Sequence, residues 1–371
     1  MRILILATEL SPMTGGIQRY THALALAAAK AMGPSNVLVL PFNGSYPATF
    51  PGYALNDKLA RAQRLFGVVP RRWVHAFHLR RLIAKFQPDL ILCNHVEVAP
   101  HGRSAKKLNG TPYWVVAYGI EVWADIPPDQ ANALEKADRI ISISKVTEGI
   151  LAAKGIDPAK MELLYYGVDT NAFTPEGEGA SKSPVLLTVC RLDAAERYKG
   201  YDRVIELLPD LLKEFPALRY RIVGDGTDRA RVEELARRLG VQDRVQITGI
   251  VLDTNQFTDE YRQSDIFVMP SMFQSGSKAY GEGFGIVYLE AAACGKPVIA
   301  AKGGGADEAV ADGETGLLID VAQRDALRGA ITRLLRAPEE ARTMGAAGRL
   351  RVTKLFSRER FEERFSELLR K

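Results

Sequence analysis

The chain has 371 residues, 47% of them hydrophobic and 25% charged, which is typical of a globular protein long enough for two domains. Its formal net charge of +5 arises in residues 1–170, so an anionic partner should meet the protein there. Three cysteines without paired spacing argue against a disulfide framework or a zinc site, and we expect a cytoplasmic protein because the sequence has neither a secretion signal nor an apolar run of ~20 residues.

Short apolar runs rich in Val, Ile and Leu alternate with segments of helical periodicity along the whole chain. In the first half these runs predict strands over 2–8, 36–42, 89–94, 113–119, 139–144 and 162–167. In the second half they predict strands over 184–190, 219–224, 244–249, 265–271, 297–301 and 316–320. Such runs are typical of parallel strands buried on both faces, and their alternation with helices predicts an α/β protein with a doubly wound sheet in each half.

The stretch 171–184 is polar and rich in Gly, Pro and Ser, which indicates a linker. We therefore expect two Rossmann-like domains, one over 1–170 and one over 171–356. The last predicted helix, 357–371, carries an apolar stripe and is free to pack back on the first domain.

Open parallel sheets bind ligands beyond the carboxyl ends of their strands, so the loops that follow strands are the candidate sites. After the first strand, Gly15 and Gly16 precede a helix, where backbone N–H groups can approach an anion. The same glycine pair is equally typical of a tight turn. The fingerprint G-x-G-x-x-G is absent, which argues against an NAD- or FAD-dependent oxidoreductase.

Basic residues and glycines follow two strands of the second half. Arg191 and Lys199 come after the strand over 184–190, where they could clamp a diphosphate. Gly224, Asp225 and Gly226 form a glycine turn after the next strand, which by itself is a weak signal.

Two glutamates, Glu282 and Glu290, lie eight residues apart around the predicted start of a helix near Gly285. The N–H groups of Phe284, Gly285 and Ile286 would form an anion site between the two carboxylates. Because a carboxylate does not bind phosphate, each glutamate should accept hydroxyl groups on one side of that anion. A ligand with hydroxyls on both sides of a phosphate is a nucleotide sugar.

These motifs resemble those of the retaining GT-B glycosyltransferases of family GT4. The segment "EGFGIVYLE" looks like the E-x7-E signature of that family, and "GG", "RL…KG", "VGDG", "MPS", "GGADEAV" and "GETGLLID" accompany it in the family's order along nearly the whole chain. The version "GIVYLEAAACGKPVIA" with its long preceding loop is most similar to the phosphatidylinositol-mannoside mannosyltransferase branch. The resemblance implies two Rossmann-like domains facing across a cleft, a donor-binding second domain and an acceptor-binding first domain.

The resemblance also implies roles for single residues. The implied catalytic residues are Glu282, which would hold hexose hydroxyls, and Arg191 and Lys199, which would neutralise the diphosphate. The implied donor-binding residues are Gly16, Gly224, Asp225, Gly226, Gly283, Phe284, Gly285, Ile286 and the ribose ligand Glu290. Residues expected near the acceptor or the sugar are Gly15, His22, Tyr118 and Glu121.

The sequence departs from the family pattern in two places that matter for the site. Tyr118 stands where the family often has a histidine, which leaves the role of that histidine open. The spacing from Arg191 to Lys199 is three residues longer than usual, so Arg197 could compete with Lys199.

The resemblance implies transfer of a hexose with retention and without a metal ion or cofactor. The expected donor is GDP-mannose, with a UDP-sugar as the alternative, and the expected acceptor is lipid-linked or a glycan of the cell envelope. Two other classes stay open, a GT-B epimerase or phosphorylase-like enzyme and a non-catalytic nucleotide-sugar-binding subunit.

The eight basic residues from Lys58 to Lys85, without an acidic residue among them, favour peripheral binding to an anionic membrane. No nucleic-acid partner is expected, because this basic cluster lies in a sugar-transferase scaffold.

Overall fold

The computed structural model describes residues 1–10, 15–43, 71–175, 183–323 and 325–371. These residues form two compact units, one made of Met1–Tyr166 with Phe361–Lys371 and one made of Gly167–Arg360. Residues 58–70 of the basic segment Lys58–Lys85 and residues 176–182 of the predicted linker lie outside the described residues, as do the side chains of 71–78. The predicted α/β class, with a parallel sheet in each half, is confirmed.

The described part of the first unit contains a six-stranded parallel sheet. Its strands are β1 (Ile3–Glu9), β2 (Val37–Asn43), β3 (Leu90–Cys93), β4 (Tyr113–Ala117), β5 (Arg139–Ser142) and β6 (Met161–Leu163). They lie in the order β2-β1-β3-β4-β5-β6. The strand order reverses between β1 and β3, so the loops after these two strands border the crevice where such sheets bind ligands.

Helices cover the sheet of the first unit. They are α1 (Gly16–Met32), α2 (Arg71–Phe86), α3 (Ala99–Asn109), α4 (Ile120–Trp123), α5 (Pro128–Glu135) and α6 (Lys145–Ala153). The final segment of the chain also packs on this unit: the Phe361 ring meets Tyr20 edge-on at 5.5 Å, and Arg139 donates to the Leu368 carbonyl at 3.1 Å. The first unit is therefore completed by residues that follow the second unit in sequence.

The second unit contains, among its described residues, another six-stranded parallel sheet. Its strands are β7 (Val185–Val189), β8 (Arg219–Val223), β9 (Val245–Gly249), β10 (Ile266–Met269), β11 (Val298–Ala301) and β12 (Gly316–Ile319). The order β12-β11-β10-β7-β8-β9 is that of a Rossmann sheet, with its reversal between β7 and β10. Ligand chemistry is therefore expected in the loops after β7 and β10.

The helices of the second unit follow the same pattern. They are α7 (Tyr201–Glu214), α8 (Arg229–Arg238), α9 (Thr254–Arg262), α10 (Ile286–Ala293), α11 (Ala306–Ala309), α12 (Ala326–Arg336) and α13 (Pro338–Leu355). The last helix, α14 (Arg358–Arg370), begins in the second unit and continues into the first from Phe361 onward. No helix in the described ranges is both long and apolar enough to cross a lipid bilayer.

Continuous apolar sequence explains why the strands were predictable. In β1, residues Ile3 to Ala7 are fully buried, and β3, β4, β7, β10 and β11 are buried along their whole length. Both faces of these strands are covered by helices, so no polar alternation is needed. Each of the twelve strands predicted from sequence is present, with ends that differ by a few residues.

Candidate functional site

The candidate site in the second unit is formed by two loops that leave the sheet at its point of reversal. The loop after β7 carries Arg191 and Lys199, and the loop after β10 carries Glu282. These loops are also joined by the rings of Tyr198 and Tyr280, which stack with their centroids 5.7 Å apart. Lys199 and Glu282, which are 83 positions apart in sequence, thus meet at one edge of the sheet.

Lys199 and Glu282 form the centre of this site. Lys199 Nζ donates to Glu282 Oε1 at 3.2 Å, and the two side chains are only 14% and 16% exposed. Burial alone would lower the pKa of the Lys199 ammonium, but Glu282 and further neighbours outweigh it and raise that pKa above its usual value. Lys199 is therefore held as a cation beside the carboxylate.

A second carboxylate, which sequence reasoning missed, lies between the two basic residues. Glu196 accepts a hydrogen bond from Arg191 through Oε1, and its Oε2 lies 3.4 Å from Lys199 Nζ. Its side chain is 14% exposed, whereas that of Arg191 is 66% exposed. The signal that could have identified Glu196 is its place in the sequence between Arg191 and Lys199, within a spacing longer than that of the family motif.

Arg197, which the sequence left as a competitor of Lys199, is bound to a buried aspartate. Arg197 donates to Asp228 Oδ1 from Nε at 2.9 Å and from Nη2 at 2.6 Å. Asp228 is 1% exposed and also accepts from Arg231 and from the Tyr201 hydroxyl at 2.8 Å. Lys199, and not Arg197, faces Glu282.

The helix that follows Glu282 begins as the sequence predicts. Gly285 caps α10 with φ = 83°, and a Cβ on it would lie 2.2 Å from the Tyr288 ring, so only glycine fits. The first amides of a helix have no acceptor within it, which leaves those of Ile286 and its successor available to an anion. Gly305 N donates to the Glu282 carbonyl at 2.9 Å, so the glycine-rich loop after β11 supports the Glu282 loop.

The surroundings of Glu290 differ from those of Lys199 and Glu282. Its side chain is fully buried, and its Oε2 accepts from the Tyr261 hydroxyl at 2.7 Å. The two glutamates of the sequence motif therefore differ sharply in solvent access. The ribose contact of Glu290 stays a prediction.

The glycine turn after β8 packs against the loop that leads to Arg191. A Cβ on Gly224 would lie 1.8 Å from the Cys190 carbonyl oxygen, and one on Gly226 would lie 2.3 Å from that of Leu192. Both glycines have positive φ, at 148° and 156°. The turn is thus a backbone support for the loop of Arg191, whereas the Asp225 carboxylate pairs with Arg229 at 3.2 Å.

The residues predicted near the sugar or the acceptor lie in the first unit. Gly15 caps α1 and Gly16 is its first residue, while the preceding residues 11–14 are outside the described chain. His22 lies in the second turn of α1, and burial lowers its pKa. Tyr118 and Glu121 follow β4, where Glu121 Oε1 accepts from the Tyr118 N–H at 2.6 Å.

Tyr118 itself is buried, and burial raises its pKa above the usual value. Among the described residues its hydroxyl makes no hydrogen bond. Its ring stacks with that of His95, which lies in the loop after β3, with the ring centroids 6.1 Å apart. His95 Nδ1 accepts from the Glu97 N–H at 3.2 Å, which places the imidazole proton on Nε2 when the ring is neutral.

Comparison with known proteins identifies matches over both units. A family model described as Glycosyltransferase Family 4 matches residues 14–172, and one described as Glycosyl transferases group 1 matches residues 171–351. The GDP-mannose-dependent alpha-(1-6)-phosphatidylinositol monomannoside mannosyltransferase of Mycolicibacterium smegmatis is 30% identical over 372 residues, covering 94% of this chain and 92% of that protein.

Two solved structures show similarity of fold alone. Sucrose-phosphate synthase from Thermosynechococcus elongatus has a TM-score of 0.78 at 23% identity, covering 100% of this chain and 98% of that chain. Anabaena HepE, solved in complex with UDP and glucose, has a TM-score of 0.77 at 20% identity, with 100% and 99% covered.

Proposed function

Since the chain belongs to glycosyltransferase family 4 and has the GT-B fold, we propose that it transfers mannose from GDP-mannose to a lipid-linked or glycan acceptor in cell-envelope synthesis. We further propose that transfer proceeds with retention of anomeric configuration and without a metal ion. The second unit would bind the donor, and the first unit would bind the acceptor. The name of the mycobacterial relative supports GDP-mannose as donor and a glycolipid as acceptor.

The observation that carries this proposal is the hydrogen bond between Lys199 and Glu282 next to the start of α10. The diphosphate and the hexose are adjoining parts of a nucleotide sugar. The cation of Lys199 suits the diphosphate, and the carboxylate of Glu282, which accepts hydrogen bonds from hydroxyl groups, suits the hexose. Glu282 would accept hydroxyls of the hexose while Lys199 Nζ contacts the diphosphate.

The chemistry assigned to this arrangement is electrostatic. Negative charge develops on the diphosphate as the bond to the sugar breaks, and Arg191, Lys199 and the amides at the start of α10 would stabilise it there. The departing phosphate would then take the proton of the acceptor hydroxyl on the same face of the sugar, which yields retention. Positive charge from two basic side chains takes the part that a divalent ion plays in other transferases.

A thermal-stability panel tests the donor. GDP-mannose and GDP should raise the melting temperature of the protein, while UDP-glucose and UDP-GlcNAc at equal concentration should leave it unchanged. Stabilisation by the UDP-sugars and not by GDP-mannose would favour the UDP-sugar alternative. NMR of the glycosidic linkage in the product tests retention, and a β-mannoside from the α-linked donor would overturn it.

Measuring hydrolysis of the donor distinguishes an enzyme from a subunit that only binds the nucleotide sugar. We expect the purified chain to release mannose slowly from GDP-mannose without an acceptor, because water can replace the acceptor hydroxyl. Tight binding without any hydrolysis or transfer would instead support the non-catalytic subunit.

The membrane role is a separate proposal, and it depends on the basic residues from Lys58 to Lys85. Each basic residue near an anionic surface contributes about 1 kcal/mol, so the chain should cosediment with anionic vesicles at low salt and dissociate at high salt. Equal recovery with neutral and anionic vesicles would remove the case for docking and favour a soluble glycan acceptor.

A further inference from the structure

The cluster at the edge of the second sheet is electrically balanced, which is unexpected for a site that binds a diphosphate. It has two cations and two anions in a continuous row of contacts, in the order Arg191, Glu196, Lys199 and Glu282. Without Glu196 the row would carry one net positive charge. Glu196 therefore supplies the carboxylate that balances the charge of this row and weakens its attraction for an anion.

The contacts of Glu196 differ in kind. Its Oε1 accepts a hydrogen bond from Arg191, whereas its Oε2 is buried and, within the described residues, makes no hydrogen bond although Lys199 Nζ is 3.4 Å away. A buried acceptor without a hydrogen bond is costly, and here the charge of Lys199 is what offsets that cost. Lys199, in contrast, already has a hydrogen bond to Glu282.

The backbone holds Glu196 in this position. Within the 3₁₀ segment Ala194–Lys199, Glu196 alone has non-helical angles, with φ = −111° and ψ = 22°. The next residue, Arg197, is fixed by Asp228 on the other side of the loop. The non-helical backbone at Glu196 directs the two neighbouring side chains to different partners. Glu196 reaches Arg191 and Lys199, and Arg197 reaches Asp228.

We propose that Glu196 takes, in the unliganded protein, the place of the diphosphate on Arg191 and Lys199, and that it thereby promotes release of the nucleoside diphosphate product. This inference rests on the proposed function, which makes these two cations the diphosphate ligands. A nucleotide sugar carries about two negative charges, and the free diphosphate carries about three near neutral pH, because its terminal phosphate loses a second proton near pH 6. Glu196 therefore repels the product more strongly than the donor.

Calorimetric titration with GDP and with GDP-mannose tests this difference. Glu196→Gln keeps the shape of the side chain and removes its charge, so GDP should bind about tenfold more tightly, and GDP-mannose should gain less. Inhibition by GDP during transfer should strengthen to the same extent, and the gain should shrink as salt rises from low to high ionic strength. Glu196→Ala, which removes the carboxylate altogether, should act in the same direction.

The matched control is Glu206→Gln, which removes one negative charge from an exposed position on α7 in the same unit. It should leave both affinities unchanged. If wild type binds GDP and Glu196→Gln binds it equally or more weakly, the inference is wrong and Glu196 instead orients Lys199. If neither GDP nor UDP binds wild type, the proposed function itself fails, and the inference fails with it.

Discussion

Replacing Asp228 by asparagine should destabilise the second unit and distinguish a structural anchor from an incidental ion pair. The Asp228 carboxylate is 1% exposed and accepts hydrogen bonds from Arg197, Arg231 and Tyr201. An amide in its place keeps one acceptor oxygen but points N–H donors at two guanidinium groups. Those two groups would then lack their buried counter-charge.

The size of the expected loss in unfolding free energy follows from the solvent exposure of Arg197 and Arg231. Breaking a fully buried ion pair by removing one member costs about 3–5 kcal/mol. Here the side chains of Arg197 and Arg231 are 50% and 35% exposed, so water can solvate them in part. We therefore expect a loss of about 2 kcal/mol, which lowers the melting temperature of a domain of this size by about 4–8 °C.

The assay is thermal unfolding of wild type and variant as a function of pH. Burial alone would raise the pKa of the Asp228 carboxyl, but hydrogen bonds from Arg231, Arg197 and Tyr201 outweigh it and hold that pKa well below the usual value. A lowered carboxyl pKa contributes stability that is present above the unfolded value of about 3.9 and is lost as the pH falls below it. The difference between wild type and variant should thus be full at pH 7 and shrink below about pH 4.

The control is Asp210→Asn, which removes an exposed aspartate that pairs with Lys213 on α7. That change should leave the melting temperature as it is in wild type. The reasoning would be refuted if Asp228→Asn melted together with the control, or if its deficit were the same at pH 3 and pH 7.

Three further changes test the site assignments. Glu282→Gln should lower kcat by about ten- to a hundredfold with little change in KM for the donor, since contacts to the sugar strengthen in the transition state; a change confined to KM would contradict this. Glu290→Gln should raise KM for the donor with kcat near wild type if it holds the ribose, whereas equal kinetics would exclude that role. Tyr261→Phe removes a donor from buried Glu290 and should lower the free energy of unfolding by about 1–3 kcal/mol in a urea titration, and an unchanged midpoint would show the contact to be dispensable. EDTA should leave transfer unaffected, and a loss that magnesium restores would disprove metal independence.

The sequence predicted the sheets well because their signal is local. A run such as that of β1 is apolar at successive positions, and burial on both faces requires this regardless of what packs there. The glycine before α10 was predictable for a similar reason, since the backbone at Gly285 has a positive φ that other residues adopt only with strain.

The finer chemistry of the site was less accessible to sequence reasoning because it depends on pairing between distant residues. The sequence places Glu196 between Arg191 and Lys199 but does not show that its carboxylate contacts both side chains, and nothing near Asp228 indicates that Arg197 is bound there. Buried Glu290 accepts a hydrogen bond from Tyr261, which lies on α9, before β10 in the sequence. A motif gives the spacing of such residues along the chain but not their solvent access.

Because the last helix packs on the first unit, that unit can complete its fold only after the end of the chain has been synthesised. Phe361, Phe365 and Leu368 are buried against a unit whose other residues end at Tyr166. On a translating ribosome, the first unit must therefore wait, with the apolar surface around Tyr20 uncovered, until the whole second unit has emerged. Domains that fold as they emerge are protected from aggregation only once their own core is closed. Expression of the first unit alone should consequently require the segment Phe361–Lys371 to be supplied in the same polypeptide, joined through a linker that replaces the second unit.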